Sequence, residues 1–112
     1  MKKFAFINAA AEKEYKKLPD NIRSQFSSSI TLVQNNVAPL LAVENLSESV
    51  GKGAIELKIN GSPAFRCIYI AKFENTVFVL HSFTKTTNGV DRKAMKTGKQ
   101  RYKQLLREIK LR

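Results

Sequence analysis

Hydrophobic and polar positions change period along the chain, and the changes predict its elements. Residues 2–7 (KKFAFI) read as a short strand. Asn8 is placed to cap a following helix, in which Ala11, Tyr15 and Leu18 share one face at i, i+4, i+7. Pro19 ends that helix and suits the first turn of the next. Ile22, Phe26, Ile30 and Val33 then continue at i, i+4, i+8, i+11. The pattern predicts an αα-hairpin with one apolar side, joined by Leu18-Pro19-Asp20. Residues 36–53 carry no regular period. Pro39 and Gly51-Lys52-Gly53 mark a loop, with a short helical turn around Pro39–Val43.

The period then becomes two. Ile55, Leu57 and Ile59 alternate with Glu56 and Lys58, as in a half-buried strand. Asn60-Gly61 signals a hairpin. Residues 64–71 (AFRCIYIA) are apolar at both parities, which predicts a central strand, and residues 76–83 (TVFVLHSF) form the last one. These three strands read as an antiparallel meander. A polar stretch, 84–90, precedes a final helix from about Asp91 to Ile109. Its apolar stripe is Met95, Tyr102, Leu105, Leu106 and Ile109, with Gly98 on the same side. The predicted order βααβββα is an α+β domain.

Length adds one constraint: 112 residues suit a single domain, 1–112. Charge adds more. Lys+Arg total 20 and Asp+Glu 9, a net +11, and an excess of this size speaks to an anionic partner. Half of the cations, but only two of the acids (Asp91 and Glu108), lie in residues 84–112. On the predicted helix, Arg92, Lys96, Lys99, Lys103, Arg107 and Lys110 fall within roughly 80° of arc, beside the apolar stripe. Such a row suits a phosphate backbone, whose counterions it would release. The bland alternative is a solvated face. A membrane-surface helix is disfavoured because the core needs the apolar stripe.

Other classes drop out. One cysteine, Cys67, allows no internal disulfide. With the single histidine, His81, it cannot form a Cys/His zinc site. No cofactor fingerprint, P-loop or serine-nucleophile elbow is present. The apolar start fails as a signal peptide at Asn8 and Glu12, and no window has the length of a membrane span. The expectation is a reduced, cytoplasmic, metal-free protein that does not contact membranes.

Four polar residues in the predicted strands carry the candidate chemistry: Glu56, Lys58, Arg66 and His81, with Lys85 at the strand exit. Arg66 interrupts an apolar strand and needs a partner. Either it pairs with Glu56 across the hairpin as a structural bridge, or it holds a phosphate. His81 shares parity with Val77, Val79 and Phe83, a placement that also fits a buried core histidine. Together these residues could cut RNA without a metal. That reaction needs a base for the ribose 2′-OH, cationic donors for the phosphate and an acid for the 5′-oxygen. Glu56 or His81 could be the base, Arg66 the clamp, and Lys85 or His81 the acid. A Cys67–His81 thiol pair is a poor alternative, because Cys67 lies mid-strand in an apolar run.

Several motifs, in order, give the chain a family resemblance. They are Leu18-Pro19-Asp20 with Ile22-Arg23, then Gly53-Ala54-Ile55-Glu56-Leu57-Lys58, Phe65-Arg66-Cys67-Ile68-Tyr69, Leu80-His81-Ser82-Phe83-Thr84-Lys85 and, in the basic helix, Arg101-Tyr102. The chain resembles the HigB-like, phage-derived branch of the RelE/ParE type II toxin superfamily over nearly its whole length. The resemblance implies a RelE-like fold and a toxin that enters the ribosomal A site and cuts mRNA. It also implies a cognate helix-turn-helix antitoxin as partner, and no cofactor. Catalytic roles would fall to Glu56, Lys58, Arg66, His81 and Lys85, and RNA or ribosome contact to the six-cation row and Tyr102. The chain departs from the family pattern in having Lys58 where an Arg is usual, Thr86 in place of a second Lys, and Asn88-Gly89-Val90-Asp91 where the final helix usually starts with Thr-Pro. Two other readings stand beside this one: a non-catalytic gyrase inhibitor, as in the ParE branch, and a plain nucleic-acid-binding module.

Overall fold

The computed structural model describes residues 1–112. Their order is β1 (Lys3–Phe6), α1 (Ala9–Lys16), α2 (Asp20–Gln34), β2 (Ala42–Asn45), β3 (Ile55–Ile59), β4 (Ala64–Phe73), β5 (Thr76–Lys85) and α3 (Arg92–Lys110). The fold is α+β, with three helices and a five-stranded mixed sheet ordered β1-β5-β4-β3-β2. Two helices start on side-chain caps, because the first turn leaves N–H groups without partners. Asn8 Oδ1 accepts from Ala11 N at 2.8 Å and Asp91 Oδ1 from Ala94 N at 3.0 Å.

The sheet has a core on each face. On one, α3 and the 46–54 loop cover Ile68, Ile70, Phe78 and Leu80 with Leu46, Val50, Ala54 and Leu105. On the other, α2 covers Leu57, Cys67, Tyr69, Val77 and Val79 with Ile22, Phe26 and Ile30.

Four expectations change. The three-stranded antiparallel meander is only part of a mixed sheet, because β1 pairs parallel to β5 (Lys3↔Thr76 to Phe6↔Val79) and β2 adds a fifth strand. The helical turn around Pro39–Val43 does not form; Ala42–Asn45 pairs antiparallel with β3 instead. All four β2 residues are exposed at the sheet edge, so no burial pattern marks them in the sequence. The αα-hairpin with one apolar side is also replaced. Ala11 of α1 enters the α3-side core, while Tyr15 and Leu18 join α2 in the other; α1 therefore crosses between the two faces alongside β5, past the end of the short β1.

The fourth change concerns parity. Ile68 pairs with His81 but Tyr69 pairs with Val79, so Leu80 is an extra residue in β5. A bulge of this kind puts two residues opposite one and resets the alternation. Val77 and Val79 thus face α2, whereas His81 stacks on Phe83, at 4.9 Å between ring centroids, on the α3 side.

Candidate active site

The chemistry-bearing strand residues gather on the α3 face of the sheet. The register sets Lys58 opposite Arg66, Arg66 opposite Phe83, and Ala64 opposite Lys85. Glu56, Lys58, Arg66 and Lys85 line one cleft of about 320 Å³, closed by Phe83 from β5 and by Val90, Asp91 and Met95 at the start of α3. Its carboxylates and cations are partly matched. Lys58 Nζ lies 3.1 Å from Glu44 Oε1, and Arg66 Nε lies 3.6 Å from Glu56 Oε1. Lys85 has no carboxylate partner, so it is the cation of this cleft free to meet an incoming anion.

Arg66 is held firmly. Its Nη1 donates to the carbonyls of Phe65 at 3.0 Å and Ile59 at 3.4 Å, and its Nη2 to Asn60 Oδ1 at 3.1 Å. The Arg66 side chain is only 6% exposed. The bridge to Glu56 and the anchoring to the hairpin are therefore real, and they fix a positive charge at the cleft wall. Burial raises the Glu56 carboxyl above its ordinary value, and Glu44 adds to the effect. The charges of Arg66, Lys58 and Lys85 oppose it but do not prevail. A carboxylate with raised proton affinity, beside cations, is suited to accept a proton.

His81 lies outside that cleft, on the other side of Phe83. A second hollow holds it with Glu14, Thr84, Asp91, Lys93, Thr97 and Arg101, and Phe83 and Asp91 line both. Its Nδ1 sits 2.8 Å from Glu14 Oε1. Arg101 grips both oxygens of the same carboxylate, Nη1 to Oε1 at 2.7 Å and Nη2 to Oε2 at 2.9 Å, and Nη1 also donates to the carbonyl of the bulged Leu80 at 3.0 Å. Burial alone would raise the Glu14 carboxyl. The hydrogen bonds and charges of His81 and Arg101 outweigh it and bring the value from 4.5 down to about 2. Sequence reasoning missed Glu14 altogether, since an acid among the charged residues of α1 gives no signal. Arg101 entered only as part of a motif.

The six-cation row lines neither hollow. Arg92, Lys96, Lys99, Lys103, Arg107 and Lys110 are all exposed, and none has an ion-pair partner. The line of α3 buried in the core is Ala94, Gly98 and Leu105, roughly 160° around the helix from the middle of the row. The row looks outward, and Met95, Tyr102 and Ile109, which pack against the core between that line and the row, leave it beside the apolar stripe as the periodicity predicts. Tyr102 is turned inward. Its ring packs where a side chain on Gly51 would lie, and its hydroxyl donates to the Lys52 carbonyl at 3.0 Å. It pins the 46–54 loop. Cys67 is fully buried, and burial pushes its thiol up to about 12, which leaves it no nucleophilic role.

The family model for the phage-derived protein Gp49-like (DUF891) matches residues 13–103, which include Glu14, Glu56, Lys58, Arg66, His81, Lys85 and Arg101. The chain belongs to the Gp49-like family. This is a toxin-like family of the RelE/HigB type. No curated protein matches the chain. Membership in the Gp49-like family and the α+β fold agree with the resemblance drawn from the motifs at its coarser level. No helix of the Gp49-like chain is long and apolar enough to cross a membrane.

Proposed function

We propose that this Gp49-like protein is the toxin of a type II toxin–antitoxin system and acts as a ribosome-dependent mRNA endonuclease. The observation that carries the reading is the convergence of Glu56, Lys58, Arg66 and Lys85 in one cleft, with His81 in the adjoining hollow. In this reaction the ribose O2′ attacks phosphorus while the bond to O5′ breaks. Glu56, whose proton affinity burial has raised, takes the 2′ proton. Lys85, Lys58 and the fixed Arg66 charge stabilise the growing negative charge on the phosphate. His81 gives a proton to the leaving 5′-oxygen. No step requires a cofactor. The outward cation row provides a separate surface, suited to ribosomal or messenger RNA backbone. On this reading a cognate helix-turn-helix antitoxin is the neutralising partner and the cytoplasm is the place of action.

The test is expression of Lys85→Ala and Glu56→Gln beside the unsubstituted chain, scored by growth, translation and mRNA integrity. Loss of a positioned acid–base group or phosphate donor should lower cleavage about 100-fold or more. Lys85 has no ion-pair partner, so its variant should keep its fold. Cleavage at full rate by both variants would refute the assignment. Growth arrest with intact mRNA and signs of broken DNA would instead favour gyrase inhibition. Neither arrest nor cleavage, with salt-sensitive RNA binding alone, would leave a binding module.

A further inference from the structure

Glu14, His81 and Arg101 come from α1, β5 and α3, three elements joined only by the tertiary fold. Two groups approach His81 Nδ1: Glu14 Oε1 at 2.8 Å, which can only accept, and Arg101 Nη1 at 3.3 Å, which can only donate. The two N–H groups of Arg101 Nη1 are taken at shorter range by Glu14 Oε1 and the Leu80 carbonyl, so Nδ1 is the donor, to Glu14. The plane of the ring is fixed as well, by stacking on Phe83 at 21° between planes. The histidine side chain is 12% exposed. Arg101 neutralises Glu14 through two parallel bonds, a geometry that a lysine could not reproduce. The same carboxylate oxygen also faces the backbone N–H of Ser82 at 3.4 Å, so Glu14 reads both the ring and the strand just past the bulge.

We infer that Glu14 and Arg101 form a positioning pair that locks the His81 imidazole through Nδ1 and leaves Nε2 as its single proton-exchanging atom. The inference rests on the mRNA-cleavage reading for its purpose and on the three-residue network for its geometry. In the cleavage step the imidazolium passes its Nε2 proton to O5′ as the P–O5′ bond breaks. The product is a neutral ring that still carries the Nδ1 proton bonded to Glu14. The other charged groups of the hollow are Lys93, on α3, and Asp91, which caps that helix. From β4, the residue paired with His81 is the apolar Ile68.

His81 is the only histidine of the chain, so its ring nitrogens give one unambiguous set of 15N NMR signals. The unsubstituted protein should show a single tautomer with the proton on Nδ1. In Glu14→Gln, whose amide can donate as well as accept, the two tautomers should mix, and mRNA cleavage should slow about tenfold or more with KM unchanged. Arg101→Lys keeps the charge but loses the fork and should mix the tautomers less than Arg101→Gln does. A merely structural role would leave the tautomer fixed in these variants. An unchanged tautomer in Glu14→Gln would overturn the pairing. If the tautomer responds but the unsubstituted chain cuts no mRNA, the cleavage reading fails and takes the catalytic role of the pair with it.

Discussion

The Glu14 network also sets a pH dependence of stability that can be worked from the structure. A carboxyl brought from 4.5 to about 2 on folding holds at most about 3 kcal/mol of stability at neutral pH. Because the Glu14 side chain is 28% exposed, solvent screening reduces the figure to about 2 kcal/mol. The sign follows from the direction of the shift. The folded-state value lies below the unfolded one, so the stabilisation is fully present above about pH 4.5 and is lost as pH falls toward 2. Glu14→Gln should therefore lower unfolding free energy by about 2 kcal/mol at pH 7, measured by urea denaturation. The gap between the two proteins should shrink steadily below pH 4.5 and be more than half gone by pH 3. In acid the protonated Glu14 leaves Arg101 as poorly paired as the glutamine does, and this closes the gap. Burial of Glu56 acts in the opposite direction: its raised value makes ionisation costly as pH climbs. That term is common to both proteins and cancels in the difference. A gap of the same size at pH 3 and pH 7 would show that Glu14 contributes through packing alone, and would refute the electrostatic account.

Two further outcomes test the loop anchor and the outer surface. A methyl group on Gly51 would lie 2.4 Å from the Tyr102 ring, so Gly51→Ala should cost about 1–3 kcal/mol by overpacking; an unchanged melting temperature would mean that the loop and ring separate freely. Lys96→Glu with Lys103→Glu removes no ion pair and should change stability by less than about 0.5 kcal/mol, yet it should weaken RNA or ribosome binding and flatten its dependence on salt concentration. An unaltered salt slope would show that the row is a solvated face.

The chain itself determined the α+β class and most of the element positions, because amphipathic periods of 3.6 and 2 are local properties of a sequence. It also determined which strand residues were unusual: Glu56, Lys58, Arg66 and His81 stand where apolar residues belong. The cap at Asn8 was legible for the same reason, since a cap acts within one turn, whereas Asp91, expected as the start of the final helix, caps it instead. What the tertiary structure decided is everything that depends on who lies opposite whom. Strand β2 has no buried face and is a strand only because β3 supplies hydrogen bonds. The bulge at Leu80 turns His81 away from Val77 and Val79 and toward α3, against the simple alternation. Glu14 becomes the partner of His81 across 67 positions, a pairing that no local pattern encodes. The basic row was visible in the sequence as a row. Which way it faced was settled only when Ala94, Gly98 and Leu105 were packed against the sheet, because small and apolar residues on that line let α3 approach closely and sent the cations outward.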